Sequence, residues 1–174
     1  PADQGRDFAV EGDKSRGKTR GLGIVFVSVF IVVALIFGKV SVESTIYLVL
    51  VFMGMMTGFL DDAAKVPWGE YKKGALDLII ALLIALTYLY FNSNIVTLAL
   101  FDVSFKIPVI LYGLLIVVLV WASINVTNCT DGVDSLSASL TLVTLASILI
   151  LDSNSVFNSL VPFFMTPLLA YLWF

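Results

Sequence analysis

Six long stretches without a charged side chain are the feature that most constrains this chain. They cover residues 21–38, 44–60, 78–101, 107–130, 135–151 and 153–174. A helix that crosses a bilayer needs about 20 mostly apolar residues, with a range of about 17–25. Hydrophobic residues make up 59% of the chain, against about 45–50% in soluble domains. The sequence therefore predicts an all-α polytopic membrane protein with six transmembrane helices.

The chain is interpreted as one integral-membrane domain over residues 1–174. It opens without Met on a polar segment and stops at Phe174 inside an apolar run, so we expect it to be a fragment of a longer protein. Its single cysteine, Cys129, excludes an intrachain disulfide and leaves the redox compartment open. Nothing in the composition indicates a nucleic-acid partner.

The charged residues fall mainly on one side of the predicted bundle. Alternate connections of a serial bundle share a face, which places residues 1–20, 61–74 and 125–135 together. Because cytoplasmic loops carry the excess of Lys and Arg, this face is predicted to be cytoplasmic. It holds eight of the ten basic residues, namely Arg6, Lys14, Arg16, Lys18, Arg20, Lys65, Lys72 and Lys73, whereas Lys39 and Lys106 lie opposite.

A short segment on the opposite side has the pattern of a strand. Polar Asp102, Ser104 and Lys106 alternate with apolar residues between them, which is the two-residue period of a half-exposed strand. The preceding apolar residues 95–100 offer a partner strand. Residues 95–107 are therefore predicted to form a small extracytoplasmic β-hairpin.

Four carboxylates lie beside membrane helices on the predicted cytoplasmic face. A carboxylate in hydrocarbon costs about 2.5–3.5 kcal/mol at a helix centre and less at the interface, so four in two loops indicate a shared ligand. Clustered carboxylates need a counter-ion, and Mg²⁺ prefers hard oxygen ligands that it shares with a diphosphate. The pattern predicts Mg²⁺-assisted phosphoryl transfer. The four are Asp61, Asp62, Asp131 and Asp134, and Asn125 and Asn128 lie among them.

Each of these signals also has a purely structural interpretation. Asp61 and Asp62 are also compatible with a solvated helix terminus, and Lys73 and Asp77 with a surface helix pair worth a few tenths of a kcal/mol. The basic run before residue 20 suits simple anchoring to lipid headgroups. The polar island at residues 125–137 is harder to explain in this way, because it is denser in hydrogen-bonding side chains than a loop requires.

Two short motifs resemble those of a known family. The sequence NCTDGVDSLS at residues 128–137 resembles the NxTDGxDGLA signature of the phospho-N-acetylmuramoyl-pentapeptide transferases, or translocase I. GFLDD at residues 58–62, before a charged loop, resembles their paired-aspartate motif. In the wider superfamily of polyprenyl-phosphate N-acetylhexosamine-1-phosphate transferases an apolar residue more often precedes the Asp-Gly pair. Thr130 therefore favours the peptidoglycan enzyme, and with the order of spans and hairpin the resemblance covers the whole chain.

The resemblance implies a reaction and a set of residue roles. Undecaprenyl phosphate would attack the β-phosphate of UDP-N-acetylmuramoyl-pentapeptide and give lipid I and UMP, with Mg²⁺ present, at the cytoplasmic face of a bacterial plasma membrane. Asp61 and Asp62 match the catalytic pair, and Asp61 is the candidate for deprotonating the lipid phosphate. Asp62 and Asp131 are the candidate metal ligands. Candidate substrate-binding residues are Lys73, with Lys72 as the competing alignment, Asn125, Asn128, Asp131, Gly132 and Asp134. The family also implies a homodimer within the membrane lipids.

The chain departs from the family pattern at several places. Ser135 replaces a glycine after the second island aspartate, and GKTRGLG at residues 17–23 replaces a different family segment. A third catalytic aspartate and a histidine-rich loop are expected beyond Phe174.

Two other functions stay open at this point. One is a related transferase that uses another donor, such as UDP-N-acetylglucosamine. The other is a transporter with acidic residues along its pathway, although its carboxylates would lie near mid-span rather than at loop boundaries. The sequence leaves undecided the donor peptide, the oligomeric state and whether the transfer is direct or proceeds through an enzyme intermediate.

Overall fold

Apolar helices and one small antiparallel sheet make up the described part of the chain. The computed structural model describes residues 23–64, 66, 68–98, 101–130, 136–151 and 160–173. Within these ranges the helices are α1 (Gly23–Phe37), α2 (Val42–Ala63), α3 (Glu70–Phe91), α4 (Val109–Thr130), α5 (Leu136–Leu151) and α6 (Val161–Trp173), and the strands are β1 (Ile95–Leu98) and β2 (Val103–Lys106). The prediction of a mostly helical chain with one hairpin is confirmed.

Three of the six helices are long and apolar enough to cross a membrane. They are α2, α3 and the Val109–Thr127 part of α4, each with an 18-residue window that holds at most two charged residues. The described parts of α1, α5 and α6 are apolar but shorter. Among the described residues, length and composition therefore support three crossings, and the prediction of six is met in part.

The helices pack in the order in which they follow one another, and the last returns to the first. Each packs against its neighbour in the chain, most extensively α3 against α4, and α6 also packs against α1. A buried apolar cluster joins α1, α2 and the start of α6 through Phe30, Ala34, Leu48 and Leu160. Most large apolar side chains elsewhere are exposed, as expected for helices whose outer faces meet lipid.

The turn between α2 and α3 places the first predicted site. Helix α2 ends at Ala63, and the N–H of Ala64 donates to the carbonyl of Asp61 at 3.2 Å. Because the predicted loop ends at Gly74, the third span is expected to start at Ala75. Helix α3 instead begins five residues earlier, at Glu70, where the N–H groups of Lys72 and Lys73 already donate to the carbonyl of Gly69. The predicted loop at residues 61–74 is thus a short connection flanked by two helix ends.

The predicted hairpin is present with a defined register. Ile95 pairs with Lys106 and Leu98 pairs with Val103 in an antiparallel ladder. Asp102, in the connection, has a φ of 50°, a left-handed conformation that Asp and Asn tolerate better than other side chains. The alternation that predicted the strand therefore reflects real pairing.

The boundary predicted for the fourth span is wrong. The polar island that begins at Asn125 predicts that the fourth helix ends near Ile124, but α4 continues to Thr130, so the first half of the island is helical. The polar side chains bond to their own helix: Ser123 Oγ donates to the Leu119 carbonyl at 2.7 Å, and Asn125 Nδ2 donates to the Trp121 carbonyl at 2.9 Å. Since the sequence has no Pro or Gly between Gly113 and Gly132, nothing in it breaks the helix earlier.

Candidate active site

Asp61 lies where the last turn of α2 meets the connection to α3. Its Oδ1 atom accepts a hydrogen bond from the backbone N–H of Trp68 at 2.9 Å, and its side chain is 18% exposed. A carboxylate near a helix C-terminus is unfavourable with respect to the helix dipole, so its partners outside the helix matter. Asp61 is therefore oriented by the connection rather than left as a freely solvated helix terminus.

Lys73 provides the charged partner of Asp61. Its Nζ atom lies 3.5 Å from Asp61 Oδ2, and its side chain is 26% exposed. A partly exposed ion pair of this kind adds roughly 0.2–1 kcal/mol to stability. This small gain does not by itself account for two charged side chains at the end of membrane helices. Lys72, the competing candidate, is exposed, and its Nζ lies 3.7 Å from the centre of the Trp68 ring. The geometry thus favours Lys73 as the residue that faces Asp61.

A cleft of about 140 Å³ opens beside this ion pair. It is lined by residues of α2, α3, α4 and the connection, namely Gly54, Thr57, Gly58, Trp68, Lys73, Leu76, Asp77 and Ile124. Gly54 and Gly58 carry no side chain into it, and a Cβ at Gly58 would meet nothing within 4 Å. The cleft is mainly apolar, with one cation near Asp61 and one buried acid, Asp77, one helical turn further along α3.

One side chain of α4 bonds to the turn of α3 that carries Lys73. Trp121 Nε1 donates to the carbonyl of Gly74 at 3.0 Å, next to Lys73 in α3. Ile124, which follows one turn later, lines the cleft, and Asn125 comes directly after it. The start of the polar island and the turn that carries Lys73 therefore lie at the same end of the bundle, as the alternation of connections predicts.

The remaining predicted site residues are less fully defined. Asp62 is exposed at the end of α2. Asn128 belongs to the last turn of α4. Asp131, Gly132 and Asp134 lie outside the described residues, as does the segment at residues 1–22. Their predicted roles stay predictions.

No metal cluster can be assembled from the described residues alone. Across those ranges no three His, Cys, Asp or Glu side chains converge as ligands. Asp62 nevertheless exposes a hard oxygen donor beside Asp61, the type of ligand that Mg²⁺ takes. Asp62 and Asp131 stay the predicted ligands of the ion.

Sequence reasoning missed three residues that shape this region. Trp68 and Trp121 are two of them: Trp68 donates its backbone N–H to Asp61, and Trp121 donates its indole N–H to the Gly74 carbonyl. Asp77 was considered only as a surface partner of Lys73, yet it is buried. Its position inside an otherwise apolar run was the signal that could have identified it.

Comparison with known proteins places the chain among membrane transferases. The model of glycosyl transferase family 4 matches residues 44–174. A phospho-N-acetylmuramoyl-pentapeptide-transferase of Treponema pallidum (strain Nichols) is 43% identical over 151 residues, which are 84% of this chain and 41% of the relative. The protein of the same name from Clostridium botulinum (strain Eklund 17B / Type B) is 33% identical over 154 residues, 81% of this chain and 47% of the relative.

A third relative of the same name, from Fervidobacterium nodosum, is 27% identical over 156 residues, 86% of this chain and 48% of the relative. The chain thus spans about two fifths to one half of the length of these relatives. No solved structure matches it. These matches confirm the family resemblance that the two motifs indicate.

Proposed function

The chain belongs to glycosyl transferase family 4, and from that membership we propose that it is part of a phospho-N-acetylmuramoyl-pentapeptide transferase. The protein would move the phospho-sugar from UDP-N-acetylmuramoyl-pentapeptide to undecaprenyl phosphate, which gives lipid I and UMP for peptidoglycan synthesis. Relatives that carry this name cover most of the chain. The proposal extends the activity in their names to the whole protein of which these residues form a part.

The observation that carries the proposal is the pair of Asp61 and Lys73 at the rim of the cleft. An oriented carboxylate can accept a proton from the acceptor phosphate, and an ammonium 3.5 Å away can hold a phosphate anion. The deprotonated lipid phosphate oxygen then forms a bond to the β-phosphorus of the donor. The bond from that phosphorus to the oxygen bridging to the α-phosphate breaks, and UMP leaves with the bridging oxygen.

Asp62 and Asp131 would hold Mg²⁺ in this proposal. When bound, such an ion neutralises charge that develops on the diphosphate oxygens. Asn125, Asn128, Gly132 and Asp134 would line the pocket for the nucleotide donor. The attachment of α4 to α3 through Trp121 supports this division of roles, because it brings the island's helix to the Lys73 turn.

The site is proposed to face the cytoplasm of a bacterial plasma membrane, where the nucleotide donor is found. The excess of basic residues on that side supports this orientation. The hairpin of β1 and β2 would then lie outside, and the shorter apolar helices α1, α5 and α6 would complete six crossings. A homodimer is part of the proposal by family membership.

A comparison of two donors tests the proposed function. The complete protein in membranes receives polyprenyl phosphate, Mg²⁺ and either UDP-N-acetylmuramoyl-pentapeptide or UDP-N-acetylglucosamine, and UMP is measured. Release with the peptidyl donor alone supports the proposal. Release with UDP-N-acetylglucosamine alone would assign the chain to a related sugar-phosphate transferase, and release with neither would refute both assignments.

A further inference from the structure

A buried carboxylate that the proposed chemistry does not use lies in the cleft. Asp77 is 5% exposed, and its Oδ2 atom has no hydrogen-bond partner among the residues that the structure describes. Burying an ionised carboxylate without a partner is costly, in particular on a helix that crosses a membrane. An ionised carboxylate in this position therefore needs a cation or a hydrogen-bond donor nearby to offset the cost of its burial.

Among the residues that the structure describes, Lys73 is the cation that can reach it. Lys73 and Asp77 stand four residues apart on α3, so their Cβ atoms lie on one face about 5–6 Å apart, and both line the cleft. In the described arrangement the Lys73 ammonium is 3.5 Å from Asp61 instead. Lys73 thus stands between two carboxylates, Asp61 at the rim and Asp77 one turn further along the helix.

We propose that Asp77 is a positioning residue that shares the Lys73 ammonium with Asp61 in the free protein and holds it away from Asp61 during the transfer. The inference rests on the proposed function, in which Asp61 accepts a proton from the acceptor phosphate. In the described arrangement the Lys73 ammonium lies against Asp61 Oδ2, so moving it to Asp77 opens that oxygen to the acceptor phosphate. A lysine ammonium has three donors, so one can bind Asp77 while the others hold the phosphate.

The pairing is tested first without any substrate. Thermal unfolding of the complete protein in detergent is measured for wild type, Lys73→Met, Asp77→Asn and the double variant. Lys73→Met leaves the buried carboxylate without its cation, so the midpoint should fall, and adding Asp77→Asn should recover part of that fall. If Asp77→Asn changes the unfolding midpoint equally in wild type and in Lys73→Met, the pairing is overturned. Glu70→Gln removes a charge from the exposed first turn of α3 and serves as the control.

The kinetic role is tested with the same variants in the transfer assay. Asp77→Asn should lower kcat about tenfold with little change in KM, as expected for the loss of one positioned charge contact. It should cause no further loss in the Lys73→Met background, and Asp77→Glu, which keeps the charge, should retain more activity than Asp77→Asn. A wild-type kcat in Asp77→Asn would overturn the role. So would a double variant in which the two losses of kcat multiply, or an Asp77→Glu variant that loses as much activity as Asp77→Asn.

The two experiments separate this inference from the proposed function. A coupled unfolding cycle in a protein that releases no UMP would refute the transferase and leave the Lys73–Asp77 pairing standing. An additive unfolding cycle in an active transferase would refute the pairing alone.

Discussion

The indole nitrogen of Trp121 donates to the backbone carbonyl of Gly74 at 3.0 Å and so joins α4 to the first turns of α3. This contact connects the two sequence motifs of the chain, because the paired aspartates precede α3 and the polar island begins at the end of α4. The contact lies beside the candidate site, since Ile124 and Lys73 line the same cleft.

Replacing Trp121 by Phe should loosen this connection. An aromatic ring is kept, whereas the N–H donor and part of the indole surface are lost, so we expect a stability loss of at least about 1 kcal/mol and a higher KM for the nucleotide donor. Tyr112→Phe is the matched control: its hydroxyl lies 3.4 Å from that of Tyr88 and joins the same two helices elsewhere. An unchanged KM in Trp121→Phe, or an equal rise in Tyr112→Phe, would contradict the predicted link to donor binding.

The two neighbouring lysines should differ sharply. Lys73→Met removes the cation beside Asp61, and we expect a loss of about 10²-fold in kcat/KM, the scale seen when a preorganised donor is removed. Lys72→Met removes only an exposed contact with the Trp68 ring, so activity should stay within a few-fold of wild type. The measurement is UMP release under saturating polyprenyl phosphate. Similar losses of kcat/KM in Lys73→Met and Lys72→Met would contradict the assignment of Lys73 alone to the site.

The sequence predicted the general architecture because its signals are strong and local. Long charge-free runs indicate membrane helices, because a helix satisfies its own backbone hydrogen bonds within the bilayer. The two-residue alternation that ends at Lys106 indicates a strand. The helix boundaries were less predictable. The polar island that begins at Asn125 indicates a loop in the sequence, but the Asn125 side chain bonds back to its own helix and α4 continues to Thr130.

Gly38 should resist any larger residue. A Cβ at this position would collide with the Ala34 carbonyl oxygen and lie 2.7 Å from Leu160 Cδ2, inside the buried cluster of α1, α2 and α6. Gly38→Ala is expected to cost about 1–3 kcal/mol, as overpacking typically does. Gly58→Ala, whose Cβ meets open space, is the control for unfolding measurements. A Gly38→Ala protein as stable as Gly58→Ala would contradict the packing described for α1.

Removing divalent metal should stop the transfer. If Asp62 and Asp131 hold Mg²⁺ near the diphosphate, then excess EDTA should abolish UMP release and added Mg²⁺ should restore it. Asp62→Asn should raise the Mg²⁺ concentration needed for half-maximal activity, because one hard oxygen ligand is weakened. Undiminished release in EDTA would remove the metal from the proposal, and an unchanged Mg²⁺ requirement in Asp62→Asn would remove Asp62 as a ligand.

The candidate site was only partly predictable for a physical reason. Asp61, Asp62 and Lys73 stand out as charges at the ends of apolar runs, and that pattern is visible in one dimension. Helix rotation decides whether Lys72 or Lys73 faces Asp61. The contact between Trp121 and Gly74 depends on packing between α3 and α4, which are far apart in sequence at these residues. The sequence shows that Asp77 lies four residues after Lys73, but it does not show that Asp77 is buried. Its burial comes from the packing of α3 with α2 and α4 around the cleft.

The central claim is that the cleft beside Asp61 is the catalytic centre of a sugar-phosphate transferase. The most direct test is Mg²⁺-dependent UMP release from UDP-N-acetylmuramoyl-pentapeptide by the complete protein, compared between wild type, Asp61→Asn and Asp102→Asn. Asp102, in the hairpin connection, is the matched control, since Asn tolerates the same left-handed conformation. The account predicts release by wild type and Asp102→Asn and a loss of at least about 10²-fold in Asp61→Asn. Full activity in Asp61→Asn would contradict it.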